Sequence, residues 1–329
     1  MNAKPFDANT IRALVADAVA APSLHNAQPW VFRYTRDTAV IGLYADLERA
    51  LPHTDPENRG LFMGCGAALF NLRVASAAAG LTPRVLLLPD PACAELLAEV
   101  HLSGTGPPGD TLARLASSIR RRHSSRFPFR DEEIPVATRD RLSEAARLEG
   151  AELFFPDLWH VRSILDLIRD ADDSEAIDPG VHAETVRWTR TEPSTVTAAA
   201  DGIPGEAFGP RRRGASAPVR DFAAGRAMPG RDRAAFEQDP NIALLGTTRD
   251  EPTDWVCAGQ ALERVLLQAT ADGLSASMTS QPLEWQDIRW AVRDPISTMA
   301  HVQMVIRLGY GPAGEPSPRR PVADVLEIL

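Results

Sequence analysis

The 329-residue chain carries 35 Lys+Arg against 44 Asp+Glu, a formal net charge of -9, with 44% hydrophobic and 24% charged residues. That length allows one large or two ordinary domains with a sizeable core, and the composition excludes a wholly disordered chain. The acidic balance argues against sequence-independent nucleic-acid binding, which needs a cationic surface. Lys4 is the sole lysine, so anion recognition falls to Arg.

Ile11, Leu14, Val15, Ala18 and Val19 give one apolar helix face over residues 10–20, ended by Pro22. Trp30–Tyr34 and Val40–Tyr44 read as two short strands around a polar turn. Asp55-Pro56 reads as an N-cap followed by an N1 proline, opening a helix that runs to Gly80. Residues 84–88 and 97–102 are strand candidates. Residues 110–121, 136–148 and 158–169 read as helices, with 152–155 a strand between the last two. Asn241–Thr247 is expected to be a strand, Pro252–Gly273 a long helix, residues 286–293 a helix and His301–Tyr310 a strand. The mixture, with helices dominant, predicts an α+β fold.

The two long helices share a pattern. Gly66/Gly259, Ala68/Ala261, Leu69/Leu262, Ala78/Ala271, Gly80/Gly273 and Leu81/Leu274 coincide when Gly66–Leu81 is laid on Gly259–Leu274. This suggests two related halves that bury the same glycine-rich face against each other. Residues 1–109 and 110–329 are the expected halves. Within the second, residues 178–239 differ in kind: Pro-Gly pairs, an Arg211-Arg212-Arg213 run and few periodic apolar positions predict a lid-like insertion.

Some signals are set aside. Gly104-Thr105-Gly106-Pro107-Pro108-Gly109 satisfies the GxGxxG pattern, but Pro107 and Pro108 lack the backbone N–H groups that would cradle a pyrophosphate. The seven His show no zinc-ligand spacing, so no metal site is expected. Cys65, Cys93 and Cys257 form no disulfide framework, which fits a reducing compartment. No signal peptide and no membrane-spanning segment is read, so a cytoplasmic protein is expected.

Three segments concentrate chemistry. Pro22-Ser23-Leu24-His25-Asn26-Ala27-Gln28-Pro29-Trp30 crowds four hydrogen-bonding side chains between two prolines, a patch suited either to a flat heteroaromatic ligand or to self-satisfied loop capping. Arg122-His123-Ser124-Ser125-Arg126 follows a predicted helix. It could hold a dianionic phosphate or simply complement a helix C-terminus. Ser317-Pro318-Arg319-Arg320-Pro321 follows the last strand and reads as either a second guanidinium source or a solvated tail.

Together these segments resemble the nitroreductase-like FMN flavoproteins. PSLHNAQPW is similar to their PSxxNxQPW segment, RHSSR to their R[RH]Sx[RK] segment, GQALERVLLQATADGL at 259–274 to their long central helix, and the Arg-Pro tail to their closing segment. Each motif occurs once only, so the resemblance is to the Acg-like branch. That implies a fused, single-chain pseudo-dimer, a monomer with internal pseudo-two-fold symmetry and one complete site under a lid. The resemblance places Pro22, Ser23, Leu24, His25, Asn26 and Gln28 along the flavin, and Arg122, His123 and Ser124 with Arg319 or Arg320 at the phosphate. It puts Arg126 near the pyrimidine edge, and Ser280 and Gln281 beside N5. It implies FMN as cofactor, NAD(P)H as reducing co-substrate and a small nitro or quinone-type acceptor, with no protein residue as catalyst because flavin N5 carries the chemistry. The alternative is an FMN storage protein whose lid blocks the flavin.

Overall fold

The computed structural model describes residues 6–104, 111–190, 200–213, 217–223, 226, 228, 230–294 and 299–329. The candidate GxGxxG turn, beyond Gly104, lies outside them.

The chain begins with α1 (Ala8–Ala18), capped by the Asp7 carboxylate, which accepts from the backbone N–H groups of Asn9 and Thr10. Then come β1 (Trp30–Thr35), β2 (Val40–Ala45), α2 (Arg59–Ala78), β3 (Thr82–Leu87) and β4 (Leu96–Ser103). The short α3 (Ala116–Ile119) precedes α4 (Val136–Arg147), β5 (Glu152–Phe154), α5 (Leu158–Ile177) and α6 (Pro179–Arg187). Four two-residue strands follow: β6 (Thr189–Arg190), β7 (Ile203–Pro204), β8 (Arg211–Arg212) and β9 (Arg233–Ala234). The chain closes with β10 (Asn241–Thr247), α7 (Pro252–Ala271), β11 (Ser275–Thr279), α8 (Gln281–Glu284), α9 (Gln286–Ala291), β12 (His301–Gly309) and β13 (Leu326–Ile328).

Two main sheets result, ordered β13-β1-β2-β4-β3 and β11-β12-β10-β5. The first buries one face against α1 and α2. The second is covered on one face by α4 and α7 and on the other by α5. Between the sheets, α2 and α7 pack directly on each other. A Cβ on Gly66 would lie 2.2 Å from the Val256 carbonyl oxygen, and one on Gly259 would lie 2.1 Å from that of Met63. Only glycine permits this approach, as the shared helix pattern anticipated. α2 is the one described helix long and apolar enough to cross a membrane, but 83% of its apolar window is buried inside the protein.

Four expectations are corrected. α2 starts at Arg59 rather than after Asp55, because Asn58 adopts a left-handed conformation. The Asp55 carboxylate still serves the helix start, accepting from Gly60 N–H at 3.0 Å and Leu61 N–H at 2.8 Å. The helix expected over 110–121 shrinks to a 3-10 turn at Ala113–Leu115 and α3. Residues 178–187 are not irregular: α5 continues to Ile177, and Asp178 then caps α6 with Pro179 in its first turn. Finally, β11 and β13 went unread. β13 pairs parallel with β1, Phe32 opposite Leu326, and so carries the chain's end across the expected boundary into the first sheet.

Candidate functional site

The loop after α1 is the most strained stretch of backbone described. His25, Asn26 and Gln28 have φ of 51°, 55° and 54°. Left-handed non-glycine residues cost roughly 1–3 kcal/mol each and gather where the surroundings hold them for a purpose. Pro22 and Pro29 stiffen the ends, and Ser23 Oγ accepts from Gln28 N–H at 2.9 Å.

The C-terminal segment completes this loop. Pairing of β13 with β1 leads residues 317–320 past it: Asn26 Nδ2 donates to Pro318 O at 3.1 Å, and Arg319 Nη1 donates to Asn26 Oδ1 at 2.9 Å. The 122–126 segment arrives from the other sheet. Ser124 bridges Ala276 of β11, and Ser125 N–H donates to Ala276 O at 2.8 Å. Arg122 Nη2 and Arg319 Nη2 then both donate to Ala20 O, at 3.1 Å and 3.0 Å. Residues roughly a hundred and three hundred positions from α1 thus put two guanidinium groups on one carbonyl.

These elements enclose a cleft of about 1150 Å³, part of it open to solvent. Pro22, Ser23, Leu24, His25, Asn26, Arg122, His123, Ser124, Arg126, Ser280, Gln281 and Arg319 all line it. Gln28 and Arg320 stand behind the loop instead. Gln28 is fully buried; its amide donates to Ala200 O at 2.7 Å and accepts from Arg320 N–H at 2.8 Å. The Arg320 guanidinium points to Asp46, 3.3 Å away. Gln28 braces the loop and Arg320 pins the tail, while Arg319 alone of the Arg pair reaches the cleft.

Several lining residues went unread: Arg59 and Met63 of α2, Arg220 and Phe222 of the 200–236 segment, and Glu284 of α8. None sits in a local motif, though Arg59 opens a helix that was itself recognised. Residues 200–213 and 217–223 lie across the cleft. Their Gly202 and Ala207 carbonyls accept from Asn26 Nδ2 at 2.8 Å and Arg126 Nη1 at 2.9 Å. Pro218 O accepts from Thr279 Oγ1 at 3.1 Å. Phe222 meets the His25 ring edge-on, centroids 5.7 Å apart, and its ring centre is 4.7 Å from the guanidinium carbon of Arg126 and 5.4 Å from that of Arg220. Arg220 is anchored by Glu175 at 2.8 Å and Glu284 at 2.9 Å.

The electrostatics favour an anion. Burial, then the Arg122 charge, lowers Arg319 to about 9, and burial with Arg220 lowers Arg126 to about 10; both stay charged at neutral pH. No described carboxylate pairs with Arg126. Burial, then Arg220 and Arg126, holds His25 well below its ordinary value, so its ring is neutral. Buried polar atoms without a hydrogen-bond partner collect here: both His25 ring nitrogens, Arg122 Nε, Arg319 Nε and Gln281 Oε1. Unmatched donors are costly unless a ligand completes them.

No protein-family profile matches the chain. Full-length relatives do. The Mycobacterium tuberculosis protein named "Putative NAD(P)H nitroreductase Rv3131" is 30% identical over 332 residues, spanning 99% of this chain and 94% of its own. The chain belongs to the nitroreductase family. A second relative from the same organism, "Putative NAD(P)H nitroreductase acg", is 29% identical over 340 residues, spanning 97% of this chain and 96% of its own. The fold agrees: a crystal structure described as a "putative nitroreductase" from Anabaena variabilis superposes with a TM-score of 0.50 at 12% identity, over 92% of this chain and 88% of that one. Among the described residues no cluster of His, Cys, Asp and Glu could hold a metal ion.

Proposed function

We propose that the cleft binds one FMN and that the chain is an NAD(P)H-dependent flavin oxidoreductase passing electrons to a small nitro or quinone-type acceptor. The observation that carries this is the set of buried polar atoms on His25 and Arg319 that lack a hydrogen-bond partner, with the Arg122 guanidinium beside them, drawn together from three distant segments. Their chemistry fits the cofactor. Two guanidinium groups suit a phosphate dianion, and a neutral imidazole offers one donor and one acceptor to a heteroaromatic rim. The relatives' NAD(P)H nitroreductase names point the same way.

Bound FMN would supply hydride acceptance and release. Arg122 and Arg319, with Ser124, would hold the phosphate. His25 would fix the ring's orientation, with Asn26 beside it held by Gly202, Pro318 and Arg319. Arg126, a cation with no described carboxylate partner, would stabilise negative charge gathering on the ring. Phe222 and Ile203 would exclude water from the covered side. In this reading the chain works as a monomer whose two sheet-and-helix halves, 1–109 and 110–329, form an internal pseudo-dimer, with residues 178–239 as the lid.

A second reading is storage of FMN with little or no reductase activity. It is favoured by the bonds that tie Gly202, Ala200, Ala207 and Pro218 to Asn26, Gln28, Arg126 and Thr279 respectively. The deciding experiment is anaerobic mixing of FMN-loaded protein with NADH or NADPH, followed by visible absorbance. Rapid bleaching is expected for the oxidoreductase. Bleaching by dithionite alone supports storage. Failure of the protein to take up FMN at all overturns both.

A further inference from the structure

Behind Arg122 and Arg319 lies Glu263 of α7, a side chain with 0% exposure whose Oε1 is 3.5 Å from Arg122 Nε. The equally buried Asn71 of α2 faces it. Glu263 lies in the 259–274 segment of the long central helix, and neither residue lines the cleft. An acid with no access to water, set against a pair of guanidinium groups, calls for a reason beyond packing.

We propose that Glu263 is an exchangeable counter-ion of the phosphate seat: ionised, it balances the guanidinium groups while no anion is bound, and it takes up a proton when a dianionic phosphate arrives. This rests on the FMN reading above. The charges make the case. Arg122 and Arg319 carry two positive charges. With Glu263 ionised the empty seat holds a net charge of one, positive; adding a dianion makes it one, negative. Protonating Glu263 at that moment makes the filled seat neutral, the arrangement a low-dielectric site favours.

The surroundings leave Glu263 poised for this. Burial raises its carboxyl to about 7, opposed by the Arg122 guanidinium, the neighbouring Asn71 amide and the charge of Arg319. A bound dianion adds like charge and raises it further. The other groups near the seat do not titrate in the same window. Asn71, from α2, has no titrating proton. His123, from the 122–126 segment, is lowered by burial, Arg122 and Arg319, and is neutral above pH 7. Arg120 pairs with Asp17 at 2.8 Å. Arg319, from the tail, stays charged below about 9. The phosphate's own second ionisation, near pH 6, is complete above pH 7.

The sign follows. Above pH 7 the free protein has lost the Glu263 proton and the complex holds it, so binding takes up a proton and affinity falls as pH rises, by up to tenfold per pH unit. The test is calorimetric titration of the full chain with FMN at pH 8, in two buffers of different ionisation enthalpy, with affinities measured from pH 7 to 8.5. Wild type should take up close to one proton per FMN and lose affinity with rising pH. Glu263→Gln should take up none and bind with nearly constant affinity. Zero uptake and a flat profile in wild type, or the same uptake in both proteins, overturns the proposal and leaves the FMN reading standing. If Glu263→Gln does not fold, the wild-type proton count and slope decide. No binding of FMN by wild type overturns the reading beneath and the proposal with it.

Discussion

Two loops hold corresponding places in the two sheet-and-helix layers, and they have opposite characters. Residues 19–29 run from α1 to β1; residues 148–151 run from α4 to β5. The second is a tight helix ending. Ala151 N–H bonds back to Ala146 O, Gly150 has φ of 80°, and Glu149 receives Arg73 and Arg264, the latter at 2.6 Å. Its charges are matched internally. The first is longer, carries three strained non-glycine residues and leaves both nitrogens of the His25 ring unpartnered. The lesson is that a helix-to-strand connection becomes a site when its polar groups are held apart from one another. It becomes a staple when an internal acid meets the available arginines.

The largest expected effect tests what the two layers share. Gly259→Ala should destabilise the fold by about 3 kcal/mol, because the new methyl would overlap the Met63 backbone rather than a movable side chain; urea unfolding measures this. Retention of wild-type stability would mean that α2 and α7 are not in backbone contact. Next, Arg122→Ala should weaken FMN retention by roughly 1.5–3 kcal/mol, the worth of a charge-assisted hydrogen bond. Flavin fluorescence on dilution reads this directly, and unchanged retention removes Arg122 from the phosphate seat.

Glu149→Gln sharpens the contrast from the other side. It should cost about 1–2 kcal/mol of stability, since Arg73 and Arg264 are only partly screened from water. FMN affinity should stay at the wild-type value; a tenfold loss would show that the two loops are coupled. Asn26→Ala should remove about 1 kcal/mol of stability through lost bonds to Gly202 and Arg319. It should also speed proteolysis around Gly202, and an unaltered cleavage rate would mean that Asn26 does not hold Gly202 down.

The last effect concerns pH. Asp172, raised to about 6 by burial with Arg212 opposing, holds its proton more tightly folded than unfolded. Stability from this group is therefore present below its unfolded value near 4 and declines as pH rises through about 6. Unfolding midpoints of Asp172→Asn should lack that decline, and identical pH profiles for variant and wild type would remove Asp172 as its source.

Much of the architecture is written locally. Apolar periodicity located α1, β1, β2, β10 and most of α7 within a residue or two, because each buries one face against a neighbour. The 178–187 helix has a sound start signal in Asp178-Pro179, which the surrounding Pro-Gly pairs mask. β13 was invisible because its three residues acquire meaning only from β1, nearly three hundred positions away.

The site divides along the same line. The sequence by itself determined the chemical types: a stiff polar loop, an Arg-His-Ser-Ser-Arg segment and an Arg-rich tail, each recognisable because its residues are adjacent in the chain. Only the tertiary structure decided that Arg319 faces the cleft while Arg320 turns to Asp46, that Gln28 braces rather than lines, and that Glu263, Arg220 and Phe222 join in. The physical reason is that side-chain direction and charge matching depend on strand pairing and helix contact between distant segments, and no local pattern encodes those.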